Sequence, residues 1–561
     1  MPHPPPRSIR AFRPPAPRPP TRGQAAAAEA ALNHQLNLHL GALPLLLPLV
    51  ERLGVREIVN RRGHPADTTP QALDLGLVTS VLVLNRLLAP QPLVHVETWL
   101  AGTVLPELWD FDALQGNDDR LARALDALYP HLDALWQDLI VAAVGAFALD
   151  LSRLAYDITS IAFCGAYAEA DLVRYGYSRD HRPDRQQLEL ATTVLVAGGL
   201  PLDYQVLAGN VADRTTPVAN QQRLQTLLAR LPPRPVGAPP PLIVSDRAML
   251  TLAAVAAYEA SDLRYLGPLD PSLGGGAVRA LLASVPTAEL AAPETMLAYR
   301  PQRAAGAAAF EPYHGVQREL LLPHPEAGRP PLRVQALVVW SPGKARLDAQ
   351  ARATHLTRLE TTLRDLASKV GRRPYTTVRA VEKRVATLLR HHPARPFLTV
   401  TVQAGEAGPT LTWTRQADAL AAAATLDGRY VLGTNEWRLT ADEQLATAKQ
   451  RDVPEKRYAL LKGPLAVRPV YLHKQERILS LVFCTMVALL LFALLEWELR
   501  RVRAHGSGTA WLHQFADLRV LVLTFQDGSR LRSLTGVDWR LPRLLRDLGW
   551  PPPDLYLAID P

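Results

Sequence analysis

The sequence predicts a layered α/β protein: a mixed sheet flanked by helices, preceded by a helical N-terminal domain and interrupted by a mixed, β-rich insertion. Three observations support this. From residue 154 onward, short apolar strand-like runs alternate with helical stretches, the order of a layered sheet. The runs 188–196 and 200–207 are rich in β-formers and joined by Gly198-Gly199, which reads as a hairpin. The 561 residues are too many for one ordinary core, so two to four domains are expected.

Taken in order, residues 1–34 form a Pro/Arg-rich arm. The first 23 residues carry five arginines and no acid, cannot bury a core, and read as a disordered basic tail. Residues 35–145 form the helical N-terminal domain, with Asp67-Thr68-Thr69-Pro70 as a helix start signal. Residues 146–270 hold the first part of the α/β core: a short strand into Asp157, the hairpin, a helix over 215–231, a buried strand over 242–244 and a helix after Met249. An insertion over 271–425 follows, with strand-like runs at 334–340 and 397–402 and helical stretches between them. Core pattern resumes over 426–503, and 504–561 form a C-terminal tail after the linker-like Gly506-Ser507-Gly508. Residues 478–495 carry no charge and meet the length criterion for a membrane span, but the preferred reading is a buried core helix, with no membrane partner.

The 62 Lys and Arg against 53 Asp and Glu give a net charge of +9 and a pI near 9.6, which favours a polyanionic partner. Two cysteines in so long a chain argue against a disulfide scaffold and fit a reducing cytoplasm.

Three acids stand out. Asp157 follows Leu154-Ala155-Tyr156, Asp246 follows Leu242-Ile243-Val244-Ser245, and Glu455 lies in Arg451-Asp-Val-Pro-Glu455-Lys-Arg-Tyr458. Taken singly, a strand-terminal Asp is most simply a turn cap. Together, two strand-end carboxylates and one on a helix can hold two divalent cations about 4 Å apart, the arrangement that clamps both oxygens of a phosphoryl transfer. Hard oxygen donors suit Mg²⁺ or Mn²⁺. Glu436 and Glu443 compete for the third place, but Glu443 is better explained as a capping box with Thr440. On a continuous helix Arg451, Glu455 and Lys462 share one face, where the cations can hold DNA phosphates. The alternative is a solvated face with an ordinary ion pair.

These residues, with Tyr175-Gly-Tyr-Ser-Arg-Asp-His-Arg-Pro-Asp184, Gly209-Asn210-Val-Ala-Asp213 and Val244-Ser-Asp246-Arg247, resemble the DDE transposases of bacterial insertion sequences, in particular the insertion-sequence-four-like branch. The resemblance covers roughly residues 35 to 500. It implies a ribonuclease-H-like core with Asp157, Asp246 and Glu455 as the catalytic metal ligands, and Arg451, Lys462, Arg247, His181 and Arg182 as DNA contacts. For His181 and Arg182, a polar surface turn explains the residues equally well. The implied activity is metal-dependent strand cleavage and strand transfer on double-stranded DNA, both element ends and target, by a homo-oligomer in the bacterial cytoplasm at the nucleoid. The sequence departs from the family pattern at Ala448, where a tyrosine is expected, and at Asp452, Pro454 and Ala248. Proline inside a helix deletes a backbone donor, unless the helix restarts there with Asp452 as cap. The departures suit the second reading, a catalytically impaired transposase-derived DNA-binding protein.

Overall fold

The structure, a computed structural model, describes residues 32–63, 74–164, 167, 169–180, 182–234, 237–300, 312–406, 408–465 and 472–557. Contacts among the described residues divide them into two compact units, one falling within 1–52, 77–124 and 495–561, the other within 53–76 and 125–494.

The second unit is built on an eight-stranded sheet. Its strands are β1 (Arg153–Ala162), β2 (Gln187–Leu195), β3 (Pro201–Ala208), β4 (Leu242–Ser245), β5 (Arg264–Pro268), β6 (His314–Leu322), β7 (Leu332–Trp340) and β8 (Arg429–Thr434), in the spatial order β3-β2-β1-β4-β5-β8-β7-β6. β1, β2 and β3 form an antiparallel meander, whereas β4 runs parallel to β1 and β5 parallel to β4. That order, three antiparallel strands followed by two parallel ones beside the first, is a ribonuclease-H-like core. β8, β7 and β6 extend it antiparallel at the far edge.

Local chemistry explains these elements. Every residue of β2 is buried, so its run of Leu, Ala, Thr and Val lies under cover on both faces. The β2–β3 hairpin turns where expected, with Gly198 at φ 96° and Gly199 at φ 65°, backbone that only glycine adopts at little cost. Helix α1 (Pro217–Leu228) covers one face: Thr216, just before its first turn, accepts from the Tyr156 hydroxyl at 2.8 Å, and Asn220 accepts from Thr193 at 3.1 Å. Helix α2 (Leu252–Glu259) lies on that same side, stacking Tyr258 on Tyr265 of β5 at 5.4 Å.

The opposite face carries α3 (Ala441–Ala448) and α4 (Val453–Lys462). Here Leu242, Leu266, Leu337, Val339, Leu432, Leu445 and Ala448 form one buried cluster. Part of the expected insertion therefore completes the main sheet as β6 and β7. The rest, hairpin Leu398–Gly405/Gly408–Arg415 with helices Pro342–Lys369 and Val378–Leu389, packs around Leu359, Leu363, Val381 and Leu411. Trp413 packs against these clusters.

Helix α5 (Gln475–Arg501) is long and apolar enough to cross a membrane by length and composition, and 94% of its most apolar window is buried within the protein. In the first unit, strand Leu32–His39 pairs antiparallel with Arg519–Phe525, which pairs with Arg530–Thr535. The tail and the start of the described chain thus share a three-stranded sheet. Leu38, Val520 and Val522 supply its buried side.

Candidate active site

The β1/β4 register brings the first two acids together. The last parallel pair is Tyr156 with Ser245, so Asp157 and Asp246 are the next residues on two neighbouring strands. Asp157 is not at a strand end, as its apolar lead-in suggested. β1 continues to Ala162 because β2 pairs with it over that whole length, Asp157 lying opposite Thr192. Asp246 does end its strand and opens the 3₁₀ turn Arg247–Met249, without capping it.

Glu455 stands in the first turn of α4. The helix does not run through from α3: it stops at Ala448, makes a 3₁₀ turn over Lys449–Asp452 and restarts at Val453. Pro454 therefore sits in a first turn, where its missing N–H has no intrahelical partner to lose. Asp452 occupies the cap position without a capping hydrogen bond and pairs instead with Lys456 at 2.9 Å. The break puts Arg451 on a different element from Glu455 and Lys462, so the single continuous face expected for the three is not formed.

Three contacts seat α4 over Asp157. The Tyr458 hydroxyl, one turn after Glu455, donates to the Asp157 carbonyl at 2.6 Å. Its only proton being used there, the Thr192 hydroxyl donates to Tyr458 Oη, also at 2.6 Å. Arg457 donates to the carbonyls of Gly198 and, at 2.7 Å, Gly199. A Cβ on Gly199 would lie 2.4 Å from the Arg457 Nε, so the turn needs glycine for space as well as for φ. Lys462, at the helix end, pairs with Asp180 at 2.7 Å, both largely buried.

Electrostatics tie the three acids together. Burial lifts the Asp157 carboxyl to about 6, and the charges of Asp246 and Glu455 add to that rise, against the Ile158 N–H and the Arg179 guanidinium. Asp157 therefore lies within the field of both other acids. Among the described residues no three His, Cys, Asp or Glu are already drawn into a metal cage. Asp246 is engaged by Arg451 at 2.9 Å, an ion pair about half exposed on both sides. Three carboxyl side chains, one of them held back from ionising by burial and by the charges of the other two, supply the hard oxygen donors that suit Mg²⁺ or Mn²⁺.

The other sequence candidates fall as follows. Glu443 forms the expected reciprocal capping box with Thr440, and Glu436 accepts from the Arg438 N–H. Arg182 grips Asp184 with two hydrogen bonds, Arg247 lies 3.7 Å from Asp270, and His181 is outside the described residues. Ala248 and Ala448 both border a cavity of about 630 Å³ next to Asp246, whose wall also carries Arg247, Lys344, Lys449 and Arg451. Ala448 is otherwise in the core at 5% exposure.

Sequence reasoning missed Arg179 and Tyr458. Arg179 pairs with buried Glu189 and with Asp213, while its N–H donates to Ser160 of β1 at 3.2 Å. The signal for Tyr458 was its place three residues after Glu455, one turn along the same helix.

No protein-family profile matches this sequence, and no curated protein matches it. Among solved structures it is similar to the cryo-EM structure of a piggyBac transposase synaptic complex with hairpin DNA, at 6% identity and a TM-score of 0.38, over 86% of this chain and 82% of that one. At that score the likeness carries no weight of its own. The ribonuclease-H-like fold rests on strand order and direction.

Proposed function

We propose that this protein is a DDE-type transposase of the insertion-sequence-four-like branch, which cuts its element's ends and joins them to target DNA. One observation carries the reading. Asp157 and Asp246 are successive to a parallel pair on neighbouring strands, and a helix docked on the Asp157 carbonyl brings Glu455 near enough for its charge to act on the Asp157 carboxyl. Asp157, Asp246 and Glu455 would hold Mg²⁺ or Mn²⁺, which when bound would supply water activation and charge stabilisation on the leaving oxygen.

The chain's own residues do the rest. Tyr458 and Arg457 hold α4 rigidly enough to keep Glu455 in place. Arg451, whose exposed pair with Asp246 is worth little, can transfer its guanidinium to a DNA phosphate and release that carboxylate. Arg247, Arg182 and Lys462 serve as further phosphate contacts, Lys462 after giving up Asp180. Hydrolysis breaks a phosphodiester into a 5′-phosphate and a 3′-hydroxyl, and that hydroxyl then attacks a target phosphodiester, forming a new P–O bond as the target's own 3′-oxygen leaves. The protein acts as a homo-oligomer on cytoplasmic DNA.

The second reading, a DNA-binding protein without catalysis, is favoured by the Arg451 contact on Asp246 and the absence of a formed cage among the described residues. Incubation of purified protein with DNA carrying the element's ends separates the two. Mg²⁺-dependent nicking, lost in Asp157→Asn, Asp246→Asn and Glu455→Gln with DNA affinity retained, supports the transposase. Binding without nicking in either metal selects the second reading.

A further inference from the structure

Tyr175 and Tyr177 are 63% and 84% exposed, on a loop beside the candidate active site. Exposed aromatic rings lose contact with nothing when bound by a partner, so the informative question is whether the backbone beneath them is fixed. It is. Arg174 exchanges both backbone hydrogen bonds with Gln187, the first residue of β2, at 3.0 and 2.8 Å. The Gln187 side chain donates to the Tyr177 carbonyl at 3.0 Å. Gly176, between the two tyrosines, lies so close to the chain at Gly209 that a Cβ would come within 1.8 Å of its carbonyl oxygen. Two residues on, Arg179 is clamped by Glu189, Asp213 and Ser160.

The same loop touches two of the three elements that carry the candidate acids. Ser160, which accepts from the Arg179 N–H, is three residues beyond Asp157 on β1. Asp180 pairs with Lys462, two turns beyond Glu455 on α4. The rings are therefore held on a rigid mount anchored to the strand and the helix of the site.

We infer that Tyr175 and Tyr177 form a stacking platform for unpaired nucleobases at a DNA end, next to the phosphate that Asp157 and Glu455 address. The inference rests on the transposase reading and adds a substrate preference to it. Two Cα atoms so placed are at most about 7 Å apart, close to twice the rise between stacked bases, the spacing at which one unpaired base can stack between the two rings. Arg174, Arg182 and Arg185 flank the rings in sequence; Arg174 pairs with Asp171 and Arg182 with Asp184, exposed pairs for which a sugar–phosphate chain can compete. Stacking on a fixed ring is sequence-tolerant and loses little entropy on binding.

The test compares the full chain with Tyr175→Ala/Tyr177→Ala and with Tyr175→Phe/Tyr177→Phe, by fluorescence anisotropy on a blunt duplex and on the same duplex with a few unpaired end nucleotides, without Mg²⁺. Wild type and the Phe pair are expected to favour the frayed duplex, and the Ala pair to lose that preference by about 5- to 100-fold while keeping blunt-duplex affinity. An unpaired 2-aminopurine should be quenched by wild type and not by the Ala pair. Equal binding of both duplexes by wild type, or an Ala pair that keeps the preference, overturns the platform. So does an Ala pair altered only in self-association, which would mark a protein interface. DNA that is bound and cut normally by the Ala pair removes the platform alone, whereas a wild type that binds no DNA removes the transposase reading with it.

Discussion

Replacing Asp157 with Asn should stabilise the metal-free protein at neutral pH and leave it unchanged in acid. The folded protein holds the Asp157 carboxyl near 6, against 3.8 for an ordinary aspartate. Between about pH 4 and 6 the folded state therefore keeps a proton that the unfolded chain has released, so wild-type stability falls as pH rises through that window and is flat above it. The gap corresponds to about 3 kcal/mol, an upper value because the side chain is only partly buried. For a unit of roughly 400 residues, unfolding entropy near 0.8 kcal/mol/K turns this into a rise in melting temperature of about 4 °C. The assay is thermal melting of both proteins in EDTA across pH 4 to 8. A difference that stays constant with pH, or an Asn variant that melts lower at pH 8, would refute the reasoning that burial and the two neighbouring acids penalise this charge. Adding Mg²⁺ at pH 8 should then raise wild type selectively, a result that depends on the metal assignment as the EDTA comparison does not.

Three further outcomes concern α3 and α4, the two helices on the side of the sheet that carries Glu455. Ala448→Tyr should destabilise the protein by about 1–3 kcal/mol, because it forces a ring into the cluster around Leu242, Leu266 and Leu445, whereas Pro454→Val should shift denaturant midpoints by less than about 1 kcal/mol, since the proline stands in a first turn; equilibrium unfolding of both variants checks this. Tyr458→Phe strands the buried Asp157 carbonyl and Thr192 hydroxyl, so it should cost about 1–3 kcal/mol and slow any Mg²⁺-dependent cleavage, with the loss visible as faster hydrogen exchange in α4.

Much of the core was legible because its signals are local. The Gly198-Gly199 turn, the buried run before Asp246 and the Thr440/Glu443 capping box each declare themselves within a few residues, and each is found in the structure. Asp452-Val-Pro-Glu455 likewise contained its restart, although the Asp452 side chain serves Lys456 and not the helix end. What stayed hidden is long-range partnership. Alternation marks 334–340 as a strand of the insertion but does not say that it pairs with β8 and so joins the main sheet. Nothing near Arg451 or Tyr458 in sequence reveals that one meets Asp246 and the other the Asp157 carbonyl. Such contacts are decided by register and by which face of a helix meets the sheet, and neither is written in the periodicity of one segment.

The pairing of Leu32–His39 with Arg519–Phe525 sets an order of events during synthesis. His39 leaves the ribosome 480 residues before its partner Arg519. At ordinary translation speeds the first strand waits about 25 to 100 s with its hydrogen-bonding edge open. An unpaired edge is a template for foreign strands, so a product that stops short, through a frameshift or an early stop, keeps that edge exposed for its whole lifetime. Truncated copies would be cleared or would aggregate, leaving the completed chain as the form that persists.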